Sequence, residues 1–406
     1  MKLIRTRNRR TRFERSALTA SVLLAFGVLP AYALDPNALP TGGQVAAGSA
    51  AISQAGAHMD VNQGTPKAVI NWSTFNIGSS ASVNFAQPSS SSVVLNRVMS
   101  SSGGSEILGR MSANGQVFLV NPSGVYFGRT AQVDVGALVS STLGISDSNF
   151  LAGRYTFANN GTAAPITNEG TIRAADGGYV AMLAPEVRNQ GVIAARLGTV
   201  ALAAGNRVTL DISGDRLLSL AIDEAALNAL VENRGAIRAD GGMVFLGARS
   251  AGDLASTVVN NTGLIQATSV SMHDGVIRLE GGERGVVADS GTLDASGRGA
   301  GEHGGTVKVL GDKVSVSSGA TIDASGDLGG GTVLVGGNFH GSGPEQNAYS
   351  TLVAGAIKAD ALMKGDGCKV AVWSSDYTQF TGTISARGGA TAGDGGSIEV
   401  SSKVHP

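Results

Sequence analysis

Cysteine is nearly absent: Cys368 is the only one in 406 residues. That excludes a disulfide framework and any structural zinc site built from several thiolates. Cys368 itself is expected to be a small buried apolar side chain. Charge is also sparse, at 15% Asp, Glu, Lys and Arg, and aromatic residues make up only 5%. A disordered polyelectrolyte would carry far more charge and fewer apolar residues than the 42% found here. Ten prolines rule out collagen, as do 59 glycines, far short of every third residue. After the first 33 residues no apolar run is long enough to span a bilayer. What is abundant is glycine and small or β-branched apolar residues, the composition of many short strands joined by tight turns.

Residues 1–33 have the layout of a cleaved secretory signal. Lys2, Arg5, Arg7, Arg9, Arg10, Arg12 and Arg15 form a basic start. An apolar run from Ala17 to Leu29 follows, and Ala31-Tyr32-Ala33 supplies a small-x-small cleavage site. Without this segment the chain has 23 basic against 30 acidic residues. A mildly acidic surface has no electrostatic footprint for nucleic acid, so no nucleic-acid partner is expected. Scarcity of cysteine also suits a chain that crosses a second membrane unfolded, since a cross-linked loop cannot thread a narrow pore.

Internal repetition sets the architecture. One phrase recurs: Ile172-Arg173-Ala174, Ile193-Ala194-Ala195, Ile237-Arg238-Ala239, Ile265-Gln266-Ala267, Leu293-Asp294-Ala295, Ile322-Asp323-Ala324, Ile357-Lys358-Ala359 and Ile384-Ser385-Ala386. The anchors are spaced by 21, 44, 28, 28, 29, 35 and 27 residues, the mark of a solenoid. The 44 reads as two periods, with strands between Val208 and Ile222 filling the gap. Ile and Ala repeat at period two around a freely varying middle residue, which gives a strand with one buried face. Glycine pairs such as Gly177-Gly178 and Gly241-Gly242 provide corners. Asn168, Asn189, Asn233 and Asn261 precede the first four copies at a fixed distance, as a repeated turn requires. The expected fold is all-β: a right-handed parallel β-helix of about a dozen coils, with an N-terminal cap region and small excursions. One excursion is predicted as a helix over Glu224–Glu232, capped by Asp223.

Before residue 168 the text changes. It contains Asn71-Trp72-Ser73-Thr74-Phe75-Asn76-Ile77-Gly78, then Leu95-Asn96-Arg97-Val98, then a strand from Gln116 running into Asn121-Pro122-Ser123-Gly124-Val125 and Phe127-Gly128. Physically the last is a turn: Asn121 can cap it through its side chain, Pro122 fixes φ, and Gly124 permits the exit. These phrases, in this order, resemble the secretion domain of filamentous haemagglutinin-type exoproteins, the passengers of two-partner secretion. Ser123 and Val125 stand where that family usually has Asn and Ile. A second family motif, Asn-Pro-Asn-Leu, is absent, which places the chain in the other subgroup.

The resemblance implies a domain order: a signal peptide at 1–33, a secretion domain at 34–260, and a β-helical stem at 261–406 that stops mid-array. It implies an adhesin- or haemagglutinin-like passenger of a Gram-negative bacterium, secreted via the periplasm to the cell surface. The partner would be a cognate outer-membrane β-barrel transporter with periplasmic docking domains, with a host or neighbouring-cell receptor beyond. Asn121, Pro122, Ser123, Gly124 and Val125 are the expected secretion-motif turn. Asn71, Trp72, Phe75, Asn76, Asn96 and Arg97 are the remaining motif residues. No cofactor, metal or catalytic residue is expected.

The alternative is a β-helical carbohydrate-active protein of the polysaccharide lyase kind, which needs clustered carboxylates and a basic residue. The repeats would align Asp294, Asp323 and Lys358 in one outward column. The same column holds Arg, Gln and Ser in other copies, as an unselected wet column would. The five histidines are scattered, and no Gly-x-Ser-x-Gly, phosphate loop or His-Glu-x-x-His is present.

Overall fold

A computed structural model of the protein describes residues 34–404 apart from 101–102, 162, 213–217 and 253–256. The segment expected to be a signal peptide, 1–33, lies outside the described residues.

The chain winds as a three-sided parallel β-helix. A single coil runs through Gln116–Val120, Val125–Phe127 and Gln132–Val135 before Ala137–Ser141 starts the next. Repetition builds a first sheet of 13 strands, a second of 10 and a third of 13. At about 4.8 Å per rung, 13 rungs make a stack roughly 58 Å tall. The first coil is closed by antiparallel pieces: Gln44–Ala47 pairs with Lys67–Trp72, and Ala50–Ala55 forms a hairpin with His58–Gln63. These cover what would be open parallel edges.

The repeated phrase does what its period demands. Ile172, Ile193, Ile237, Ile265, Leu293 and Ile322 are fully buried, Ile357 nearly so. They lie rung on rung in direct register in the third sheet. Each fully buried large side chain of this kind is worth about 1.5–3 kcal/mol. A coil alone cannot bury that face, so neighbouring coils supply each other's solvent-free side.

Corners are set by two further columns. Where the second sheet turns into the third, Asn168 donates from Nδ2 to Asn189 Oδ1 at 2.8 Å, Asn189 to Asn233 at 2.8 Å, and Asn233 to Asn261 at 2.7 Å. The regularly placed asparagines are therefore a buried ladder between coils as well as turn formers. Two residues on stand Gly170, Gly191, Gly235 and Gly263. A methyl group at Gly191 would overlap the backbone carbonyl of Gly170, and one at Gly235 that of Gly191. Glycine is needed here for close stacking, and neither residue has a positive φ.

Three expectations are corrected. The 44-residue spacing is one coil with an insertion, because Ile193 pairs directly with Ile237. The inserted residues form Arg207–Asp211 and Ser219–Glu224, which join Tyr155–Ala158 in a separate three-stranded antiparallel sheet. No helix occupies Glu224–Glu232: Ser219–Glu224 ends as strand and Leu230–Asn233 is a rung of the second sheet. Asp223 accepts a hydrogen bond from Thr209 Oγ1 at 2.6 Å instead of capping a helix. A nine-residue helix is marginal in water even with good formers, whereas the strand buries Val231 and Asn233 completely. Cys368 is half-buried and unpaired, since it sits at the corner just ahead of Lys369–Ser374, outside the dry interior.

Candidate functional site

The residues singled out before residue 130 gather on successive coils, and alternation explains their order. In Val93–Val98, Val94, Asn96 and Val98 point into the helix, while Val93, Leu95 and Arg97 point outward. Both faces are covered, so the phrase Leu95-Asn96-Arg97-Val98 serves two cores at once.

On the inner face, Trp72 is 1% exposed and meets Phe75 edge-on, with ring centroids 5.6 Å apart. Its indole Nε1 donates to Asn96 Oδ1 at 3.0 Å, and Asn96 Nδ2 donates to the carbonyl of Phe118 at 3.4 Å. One buried amide thus joins three consecutive rungs. Asn76 Oδ1 accepts from the backbone of Glu106 at 2.9 Å, tying this coil to the edge strand Ser105–Ile107.

On the outer face, Arg97 Nη2 donates to Asp147 Oδ1 at 2.6 Å and to the carbonyl of Ile145 at 2.7 Å. Asn71 Oδ1 lies 3.5 Å from its Nη1. Asp147 opens the single α-helix among the described residues, Asp147–Leu151, capped by Ser146. Lys67, one rung below Arg97's strand, donates to the helix's last carbonyls, Phe150 at 3.3 Å and Leu151 at 2.9 Å. Two cations from adjacent rungs hold the helix at both ends, and the lysine is placed favourably at the negative end of its dipole. Behind them a second apolar cluster forms around Phe118, which contacts Phe150, Tyr155 and Phe157 at 5.7, 5.2 and 6.2 Å. Sequence reasoning missed Lys67, Asp147 and this cluster. The available signal was the unbroken apolar runs Val117–Val120 and Tyr179–Ala184, which need burial on both faces.

The Asn-Pro turn lies where the first sheet passes into the second. Asn121 is 1% exposed and all its polar groups are engaged. Its N–H donates to the carbonyl of Ser141 at 3.0 Å and its carbonyl accepts from Gly124 at 3.0 Å. Nδ2 donates to Ser105 Oγ at 3.0 Å and to the carbonyl of Gly103 at 3.2 Å, while Oδ1 accepts from the N–H of Ser123 at 3.0 Å. Gly124 has φ of 113°, a left-handed conformation that a side chain would strain. Val125 is buried and pairs in parallel with Ser105 and Ile166. Only Pro122 is exposed, with Ser123 half-covered. The carbonyl of Pro122 accepts from Ala164 at 2.9 Å. The structure thus brings all eleven motif residues into the first coils, where Asn71, Trp72, Asn76, Asn96, Arg97 and Asn121 fasten one rung to the next.

Residues 37–295 match the TPS secretion domain model. The chain belongs to the TPS (two-partner secretion) secretion-domain family. This part of it is the secretion domain of an exoprotein exported through the outer membrane of a Gram-negative bacterium. The HMW1 secretion domain from Haemophilus influenzae, a solved structure, is 31% identical, with a TM-score of 0.79, covering 90% of this chain and 95% of that one. A heme/hemopexin-binding protein from the Rd strain of Haemophilus influenzae is 31% identical over 250 residues, 59% of this chain and 27% of the relative. A second Haemophilus influenzae heme/hemopexin-binding protein is 29% identical over 244 residues, 54% of this chain and 26% of that one. The chain therefore spans about a quarter of the length of these curated relatives. The TPS match runs to residue 295, through coils that the sequence alone assigned to the stem.

The lyase-like column does align: Asp294 pairs with Asp323, and Asp323 with Lys358, in adjacent rungs. Asp323, however, is 7% exposed and bound by Arg298 Nη2 at 2.8 Å, while its Oδ1 accepts from the N–H of Ser325 at 2.9 Å. Both oxygens are thus engaged in fastening a corner, and the column offers no convergent pair of free carboxylates.

Proposed function

We propose that this chain is the secretion-competent part of a non-enzymatic surface passenger, carried by a cognate outer-membrane β-barrel transporter with periplasmic docking domains. The passenger serves as an adhesin or binding protein toward another cell or a host ligand. Residues 34–260 carry the secretion signal, and the coils from 261 onward act as a stem that displays more distal parts. The family match and the similarity to the HMW1 secretion domain support the transporter partnership. The names of the heme/hemopexin-binding relatives support a binding role for the whole exoprotein.

The observation that carries the mechanistic reading is the internal use of Asn121. With both its amide atoms and its backbone groups occupied inside the fold, the turn can offer those groups to a docking domain only before the coil closes. Recognition would then act on the unfolded chain in the periplasm, and coil closure outside would both hide the signal and oppose back-sliding. Each added coil buries apolar side chains worth about 1.5–3 kcal/mol apiece, which suffices to bias movement without a nucleotide. Asn121→Ala should cut the amount of chain in the culture medium about tenfold when the transporter is present, with chain retained in the periplasm. Release at the wild-type level would refute the assigned role of the turn.

A further inference from the structure

The asparagine ladder ends in a carboxylate. Asn261 Nδ2 donates to Asp289 Oδ1 at 2.8 Å, and the N–H of Gly291 donates to the same oxygen at 3.3 Å. Asp289 is completely buried, and its other oxygen, Oδ2, has no hydrogen-bond partner. Oδ2 stands where each lower rung carries an amide Nδ2. There the nitrogen donates upward to the next rung and, in Asn168, Asn189 and Asn261, sideways to the carbonyl of the glycine two residues on, as Asn189 does to Gly191 at 3.4 Å. Asn233 donates instead to the carbonyl of Leu264 at 3.4 Å. Above Asp289 the next residue in the column is Val316, whose side chain offers no polar atom. By analogy with the rungs below, an ionised Oδ2 would face apolar packing and the carbonyl of Gly291, and no donor reaches it.

We propose that the ladder ends in a proton-operated latch: as a neutral acid, Asp289 donates from Oδ2 to the carbonyl of Gly291, and its ionisation loosens the step between Asn261 and Val316. Burial pushes its carboxyl up to about 6, against the lowering effect of its bonds from Asn261 and Gly291. No charge contributes. Thr257–Asn261, the strand below, has no titratable residue. Arg278 and Glu280 on Val276–Glu280, Lys308 on Thr306–Leu310, Lys313 on Lys313–Val316 and Asp294 on Thr292–Asp294 all occupy outward positions. Asp323 on Thr321–Asp323 is held by Arg298 at the corner beyond.

The sign follows from linkage. The folded carboxyl holds its proton more tightly than the unfolded one, so its contribution is complete below pH 3.8 and is lost as pH rises toward 6. Acid thus tightens this step, which lies near the end of the TPS match at residue 295, and neutral pH loosens it.

The test is amide hydrogen exchange on the full chain, corrected for intrinsic rate, over 286–294 and 313–316. From pH 4.5 to 7.5, protection of these segments should fall roughly twentyfold. Asp289→Asn continues the ladder and should abolish that dependence. Asp289→Val, which extends the apolar column of Val316 downward, should abolish it too and covers the case in which the asparagine variant fails to fold. A wild-type chain without the fall, or either folded variant that keeps it, overturns the latch.

Discussion

The same outward column of the first sheet reads differently at its two ends. Through the early coils it runs Val69, Leu95, Phe118, Val139, Ala181, Ala201 and Phe245. From Arg278 it continues as Lys308, Leu334, Ala371 and Glu399. In the first stretch the helix Asp147–Leu151 and the three-stranded sheet lie over the column, so Tyr179–Ala184 and Thr199–Ala204 are buried at every position. In the second, Val276–Glu280 alternates between buried and half-exposed. One backbone geometry therefore carries two kinds of strand. The early coils are fixed by a second core and by named polar fasteners, which tolerate little change. The later coils lean chiefly on the inner core: outside it Arg278, Lys308 and Glu399 break the apolar column, Leu334, Ala371 and Trp373 form only a small covered patch, and charged pairs such as Lys308–Glu345 at 2.8 Å lie beside it.

Substitutions along that column should break the comparison most visibly. Phe118→Ala removes the ring at the centre of the outer cluster and should cost about 3–5 kcal/mol, while Lys308→Ala, two rungs beyond Phe245 in the same column, removes only a charged hydrogen bond and should cost about 1–3 kcal/mol. Urea unfolding of the two variants reads the difference, and equal losses would erase the distinction between the regions.

Asn233→Ala should cost about 2–4 kcal/mol, because it leaves Asn189 Nδ2 without its acceptor and Asn261 Oδ1 without its donor inside a dry corner. Replacing Asn233 with Asp should hurt less at acid pH than at neutral pH, and thermal unfolding at the two conditions would show it. Arg97→Ala should cost about 1–3 kcal/mol, with faster amide exchange confined to 145–158, since the arginine fastens the helix from outside the inner core.

The smallest expected effect sharpens the picture within the later coils, where two buried carboxyls should respond to pH with opposite sign. Asp360 in the later coils is buried, which works against ionisation, but bonds from Arg387 and Ser385 outweigh this and hold its carboxyl below the usual range. Its contribution is present above pH 3.8 and is lost as pH falls through the lowered folded value. Exchange over 383–387 should therefore quicken on acidification, opposite to the segment around Asp289. A Asp360→Asn variant should lose that acid sensitivity.

Much of this was legible from residues alone. The period-two phrase Ile-x-Ala set the buried face of the third sheet, and the Asn-Pro-Ser-Gly text set a turn with Asn121 as its side-chain cap. The 44-residue spacing misled because an insertion and an extra coil lengthen a repeat equally. Ala225 to Leu230 misled because helix propensity is local and weak, while the pull of Val231 and Asn233 into a rung comes from coils distant in sequence.

By itself the sequence determined that strands would stack and which side of each would be dry, because alternation is a property of neighbouring residues. Only the tertiary structure decided what lies over the outer face, which cations grip the helix, and that a carboxyl at 289 closes an amide ladder. Those choices depend on which residues meet across 20 to 80 positions of chain, and no local pattern encodes that meeting.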